Sequence, residues 1–442
     1  MLTNKLVYSI NENYIKSFLA ILITSYFYCL PITRFSFIAI STDLRLYDIV
    51  FIIGFIFIFL PMGGVVLKNK VAPKYIFYSK ILIGIILYSM VISFVLSGST
   101  RLAIACVRFF RFFSFLYAGY IIIGMVKKES TLIFLFKVFY INILIQAIIS
   151  SLQVWGWIPP LWPDYWLANY GFGNVATLSP HHKHIGVIMI IGFALSLLFI
   201  INNSKELRTM RILAIVLLPF IILSMFGAHT RTGLFGGLVF ILVFYIISAN
   251  NFRTQAILII FSILIYFILA DTIIEYSYNY FNNYIVQKIA NSQFGMFDER
   301  APVYSSFLPA IIDKPWLIIF GVGYQNINYA IWGTGAHNNF AQVFFETGII
   351  GMYAFCMLFY HATVVYRSEY RLKSSTVFND NTRNIMFALI IAIISTMFSG
   401  ETFWGQYSMF TLSGQIFVLI CITSHPLTYN YYNKSEHQGF RY

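Results

Sequence analysis

His337 and Asn338 stand where a polar, glycine-broken stretch beginning at Gly321 (GVGYQNINYAIWGTGAHNN) gives way to a long apolar run. Two arginines occupy comparable polar breaks far away in the chain, Arg231 in GAHTRTG and Arg300 in FDERAP. Guanidinium groups grip phosphate oxygens in bidentate pairs and need no metal ion to do so. Two arginines and a histidine converging on one face would therefore suit a diphosphate. Each residue also has a plain reading. Arg231 could be solvated or paired with a lipid headgroup. Arg300 could pair with Asp298 or Glu299, and a histidine at a helix mouth could be merely interfacial. Only the combination carries the functional reading.

Other polar residues lie inside apolar runs, where they are costly. Arg108 and Arg111, three apart, are expected on one helix face in the outer half of a bilayer. They fit phosphate or headgroup contacts, or pairing with Glu346 or Glu401. Glu346 reads as a structural carboxylate held inside the bundle. On a continuous helix from His337, Gly348 and Gly351 return to the same side at about 100° per residue. That small face serves either close helix packing or a groove for a lipid chain. The cluster His181, His182, Lys183 and His184 has no Asp, Glu or Cys nearby to complete a ligand set, so no metal is expected. Cys29, Cys106, Cys356 and Cys421 all fall in apolar runs without metal-ligand spacing, and neither a disulfide framework nor a zinc site is expected.

The elements that must position these residues follow from composition. The 442 residues are 59% hydrophobic and only 10% charged, which excludes an ordinary soluble domain. Apolar runs of bilayer length predict an all-α polytopic membrane protein forming a single membrane-embedded domain. Twelve segments can be drawn, at roughly 17–40, 47–67, 76–97, 102–126, 131–154, 184–201, 211–227, 232–249, 254–270, 338–366, 384–400 and 406–424. Pro31 predicts that the first kinks or ends early. No small-residue cleavage site follows that run, so it reads as a retained helix and not a signal peptide.

The net charge of +13 does not imply nucleic acid, because its placement is topological. With the N-terminus cytoplasmic, 18 of the 29 Lys and Arg residues fall on the inner side and 8 on the outer. Both termini are then inside, and Arg231, Arg300 and His337 share the outer side. The outer loop 155–183 is rich in Trp and Pro, as suits an interface or a sugar. The larger loop 271–337, between segments nine and ten, is expected to be ordered and to carry a short amphipathic helix near 302–312. The polar tail from Tyr429 is expected to be mobile.

His337-Asn338 followed by Glu346, Gly348 and Gly351, and preceded by Gly321-Val322-Gly323, resembles the C-terminal signature of the O-antigen polymerase and O-antigen ligase superfamily. Thr230-Arg231-Thr232-Gly233 resembles its arginine motif. Arg300, followed by Lys314-Pro315-Trp316 on to Gly323, resembles its second arginine segment. The likeness spans roughly residues 180–351 by motif, and it departs at Ser179-Pro180-His181-His182, where relatives often carry Pro-Asn. It implies a GT-C-like fold and a glycosyltransferase of the bacterial inner membrane, acting at the periplasmic face on an undecaprenyl-diphosphate-linked oligosaccharide. On that likeness His337 is the general base, or else orients the diphosphate, while Arg231 and Arg300 bind the diphosphate. Arg108, Arg111, Asn338, His182 and Tyr324 are further substrate contacts. No cofactor and no metal is implied.

The partners implied are lipid-linked donor and acceptor, membrane lipid and a chain-length regulator protein. The aromatic-, Ile- and Asn-rich composition favours a polymerase over a ligase that delivers the glycan to lipid A core or to protein. A flippase for the same lipids should place charge near the midplane at discontinuous helices, often in related halves. A scaffold would leave the arginines and the histidine dispensable.

Overall fold

The computed structural model of the chain describes residues 12–28, 31–37, 40–54, 56, 73–159, 182–228, 230–248, 307, 309–327, 338–367, 377–399, 404 and 410–428. The segment expected over 254–270, most of the loops 155–183 and 271–337, and the C-terminal tail lie outside them. Residues 309–313 are helical, where the amphipathic helix was expected.

Within the described residues the apolar runs are largely helical. In chain order these are α1 (Glu12–Phe27), α2 (Leu46–Gly54), α3 (Lys74–Ser97), α4 (Ser99–Met125), α5 (Glu129–Val154), α6 (His182–Ile201), α7 (Arg208–Gly227), α8 (Arg231–Ile247), the short α9 (Leu317–Phe320), α10 (Asn339–Arg367), α11 (Asp380–Ser399) and α12 (Phe410–Thr423). Among the described residues, seven helices are long and apolar enough to cross a membrane, and α8 and α12 are shorter apolar helices. A multi-pass membrane protein results.

The expectation of an all-α chain needs one correction. The run drawn over 17–40 stops being helical at Phe27, and Pro31–Phe37 (β1) pairs antiparallel with Ile40–Arg45 (β2). The register runs from Pro31 opposite Arg45 to Phe37 opposite Ile40. Pro31 is the physical reason: it lacks an N–H and biases the residue before it away from helix. The alternation Arg34, Phe35, Ser36, Phe37 then suits a strand.

Consecutive long helices antiparallel to one another put two kinds of end at opposite poles. One pole holds Lys74, Lys128, Lys205, Arg208, Arg367 and Arg383. There Tyr75 bonds Ser424 at 2.7 Å, and Asn202 Nδ2 donates to the Val377 carbonyl at 2.8 Å. Arg211 donates to the carbonyls of Phe199 and Asn202, tying the end of α6 to the start of α7. The other pole holds the first residues of α4, α6, α8, α10 and α12. On the Lys/Arg bias read from sequence, this second pole is the one expected to face outward.

The core is one cluster running through α1 to α8 and α10 to α12, with aromatic edges closing it: Tyr26 on Phe115 at 4.8 Å and Phe27 on Phe139 at 5.3 Å. A satellite cluster of Phe307, Leu317, Val322, Ile327 and Phe345 seals α9 against α10.

Candidate functional site

The starts of α6, α8 and α10 and the end of α11 meet at the second pole. Thr230 caps α8, its Oγ1 accepting from the Gly233 N–H at 3.2 Å, so Arg231 is the first residue of that helix. The start of α8 lies directly on the second turn of α6. A Cβ on Gly186 would stand 2.2 Å from Thr230 Oγ1, and one on Gly233 would stand 2.8 Å from the Gly186 Cα. His182 and Arg231 therefore open two adjoining helices, and buried His184 sits one turn in.

Further along, α8 packs on the end of α11: a Cβ on Gly236 would meet the Thr396 methyl at 2.5 Å. The same end of α11 receives the start of α10, where Asn338 Nδ2 donates to the Phe398 carbonyl at 3.1 Å. Asn338 Oδ1 accepts from the Ala341 N–H at 3.1 Å and so caps α10. Asn338 thus acts both as cap and as tether. The residues opening α6, α8 and α10 are gathered at one pole, where helix N-termini favour an anion. Arg300 and His337 lie outside the described residues, and of His182 and Arg231 only the backbone positions are described.

Deeper in, α10 is not one continuous helix. Gly348 interrupts it with φ 67° and ψ −168°, a conformation almost confined to glycine. The geometry that returned Gly348 and Gly351 beneath His337 assumed an unbroken helix and does not hold. The break frees the carbonyls of Phe345 and Glu346, which an unbroken helix would bond four residues on. The turn after α9 fills the gap. Val322 N–H donates to the Phe345 carbonyl at 2.8 Å, and Gly323 N–H to the Glu346 carbonyl at 3.1 Å. Ser89 Oγ on α3 adds a bond to the Glu346 carbonyl at 2.7 Å. A buried carbonyl left unpaired would cost about 1–3 kcal/mol, which is why break and turn must form together.

The glycines here serve close packing, not a lipid groove. A Cβ on Gly321 would lie 2.4 Å from the Glu346 carbonyl carbon, and one on Gly348 would lie 2.1 Å from the Ile319 carbonyl oxygen. One on Gly351 would meet Thr347 Oγ1 at 1.9 Å.

Above the break sits Glu346, fully buried, as the structural reading of that carboxylate expected. Its Oε2 accepts from Trp404 Nε1 at 2.9 Å and its Oε1 from Gln342 Nε2, one turn earlier. Arg108 donates to the Gln325 side chain and lies close enough to act electrostatically on Glu346. Gln325 holds this place with φ 58°, the one non-glycine with positive φ among the described residues. Arg108, paired in sequence reasoning with Glu346, does approach it.

Tyr324 is buried edge-on against Trp404 at 5.4 Å, its N–H donating to the Ser89 carbonyl at 3.2 Å. Burial, with the Glu346 carboxylate beside it, pushes the Tyr324 phenol well above its ordinary value. It packs the site from within and offers no open contact to a substrate.

Arg111 turns away from this group. Its Nε and a terminal nitrogen clasp Asp48 at 3.0 and 2.8 Å, and its guanidinium lies over the Tyr47 ring. Asp48 also accepts from the Arg45 N–H at 3.1 Å, fastening the end of the hairpin to α4. Arg111 thus pairs with Asp48, and its charge is answered inside the fold, while Glu401 lies outside the described residues. Asp48, Gln342 and Trp404 were not singled out in the sequence. The available signals were a carboxylate next to the second apolar run, an i−4 amide before Glu346, and a tryptophan between two apolar runs.

Comparison with known proteins adds one finding. Residues 215–356 match the family described as O-antigen ligase, a stretch that runs from α7 through Arg231, Arg300 and His337 to the middle of α10. No curated protein matches the chain. Over that stretch, about a third of its length, the chain is similar to the O-antigen ligase family.

Proposed function

We propose that this protein is a surface-polysaccharide polymerase of the bacterial inner membrane. It transfers oligosaccharide from an undecaprenyl-diphosphate-linked donor to a sugar hydroxyl of a second lipid-linked repeat unit at the periplasmic face. The observation that supports this most is the gathering at the end of α11. Asn338, the residue after His337, bonds Phe398, and α8, which Arg231 opens, packs against Thr396, so α11 joins two helix starts that both lie within the family match.

In this reading His337 takes the proton of the attacking hydroxyl as its oxygen bonds the anomeric carbon of the donor. The bond from that carbon to the diphosphate breaks, and the diphosphate leaves with the electron pair. Arg231 and Arg300 neutralise the growing charge, the task a divalent ion performs in other transferases. The N-termini of α6 and α8 add to the same field.

The filled break in α10 argues for an enzyme over a flippase. Both carbonyls it releases are taken by Val322 and Gly323, so they do not face a lumen as transporter carbonyls do. The description of the matched family favours a second reading, a ligase transferring the glycan to lipid A core or protein.

The deciding experiment is the surface glycan ladder of a strain lacking this protein, run beside its His337→Ala complement. A single repeat on the lipid core identifies the polymerase. A bare core with long polymer trapped on its carrier identifies the ligase. His337→Ala, Arg231→Ala and Arg300→Ala are each expected to abolish transfer while the protein still accumulates in the membrane. Near wild-type product from any one of them removes that residue from the site. Chelation of divalent ions is expected to leave activity intact, and restoration by an added ion would overturn the arginine mechanism.

A further inference from the structure

Trp404 makes two bonds to α10, and they fall on one face of that helix. Its backbone N–H donates to Asn339 Oδ1 at 2.8 Å, and its indole Nε1 donates to Glu346 Oε2 at 2.9 Å. Asn339 and Glu346 are seven residues apart, so the staple spans two turns, about 10 Å of helix. Its upper end is the second residue after His337. Its lower end is the carboxylate above the Gly348 break, where the Gly321–Gly323 turn and Ser89 hold the same residue by its carbonyl. The indole is itself packed by Phe112 of α4, Tyr324 and Phe355 at 5.4–6.2 Å.

A carboxylate and an indole N–H buried in a membrane bundle are costly when unpaired. For stability alone, two apolar residues of the same volume would serve as well or better. What the polar pair supplies is direction. It fixes how the first two turns of α10 leave the bundle, and hence where the chain before Asn338 begins.

We propose that Trp404, with Glu346 and Asn339, forms a positioning clamp for the catalytic histidine, setting the mouth of α10 rather than touching substrate. The inference rests on the reading of His337 as general base. Loss of the clamp leaves the diphosphate site intact and displaces the base. A displacement of about 1 Å can cost on the order of a hundredfold in the chemical step.

The test uses the full-length protein in lipid nanodiscs, with undecaprenyl-diphosphate-linked repeat units extracted from the host strain as donor. Trp404→Phe keeps the ring stacking and loses the indole N–H. It is expected to lower kcat about tenfold or more with KM for the lipid-linked donor within about twofold. Asn339 tests the other end of the staple: Asn339→Asp keeps the acceptor for Trp404 N–H and should hold kcat near wild type, whereas Asn339→Leu should lose it. Wild-type kcat per folded molecule in Trp404→Phe, with only reduced thermal stability, overturns the clamp. So does equal kcat in the two Asn339 variants, which decides the matter if Trp404→Phe fails to accumulate. His337→Ala is measured alongside. Full activity there removes the base assignment itself, whereas inactive His337→Ala with fully active Trp404→Phe leaves that assignment standing and removes the clamp alone.

Discussion

Two glycine contacts shape this site, and they solve the same steric problem in opposite ways. At Gly186 and Gly233, α6 and α8 approach until a Cβ on either would strike the other, yet both helices remain intact. At Gly321 and Gly348, α9 and α10 approach just as closely, but α10 breaks and a turn enters it. The first contact only brings two helix starts together. The second exchanges intrahelical bonds for bonds to another segment, and so links the interior of α10 to Val322, Gly323 and Ser89. A small residue in an apolar run can thus mean proximity or interruption. What separates the two is whether the backbone leaves the helical region.

Gly348→Ala should have the largest effect. The backbone there has φ 67°, a Gly-only region that costs another residue about 1–3 kcal/mol, and the obstacle is the Ile319 carbonyl, 2.1 Å from the new Cβ. Backbone cannot be trimmed by a second substitution, so the variant should fail to accumulate or melt far below wild type in detergent. A variant with unchanged melting temperature would mean that α10 can run unbroken, and the distinction between the two contacts would collapse.

Gly186→Ala meets a side chain instead, Thr230 Oγ1 at 2.2 Å, on ordinary helical backbone. Forcing a methyl into that contact should cost about 1–3 kcal/mol. Here rescue is possible. Thr230→Ala removes the obstacle at the expense of the α8 cap, about 1 kcal/mol on its own. The double variant should therefore melt above Gly186→Ala alone. Failure of that rescue would place the strain on the Gly186–Gly233 backbone contact, making the two sites more alike than the geometry suggests.

Much of this architecture could be read from residue order. Seven segments from 76–97 onward coincide with helices to within a few residues, because a bilayer demands length and apolarity that composition displays directly. The turn before Arg231 and the helix start after Asn338 were legible for the same reason: polar breaks between apolar runs. What escaped was of two kinds. Pro31 signalled an early end to the first run but not that the chain would fold back as a hairpin. The break at Gly348 was invisible because it removes no apolar residue from the run. The pairings Asp48–Arg111 and Glu346–Trp404 join residues 63 and 58 apart, and no local periodicity encodes them. The cost of burying Glu346 did imply a partner, which proved to be a neutral donor pair with Arg108 nearby and not a salt bridge.

Ser89→Ala is the smallest perturbation and probes how the break is held. The Ser89 hydroxyl is the second donor to the Glu346 carbonyl, which keeps the Gly323 N–H when the hydroxyl is removed. Because the acceptor stays paired, the loss should be that of one ordinary hydrogen bond, about 0.5–1.5 kcal/mol, with no orphaned carbonyl. A fall of a few degrees in melting temperature with transfer activity preserved is the expected result. A collapse comparable to Gly348→Ala would mean that α3, not the inserted turn, props the break open. The interruption of α10 would then belong to the packing of α3 against α10, with the Gly321–Gly323 turn filling a gap it did not create.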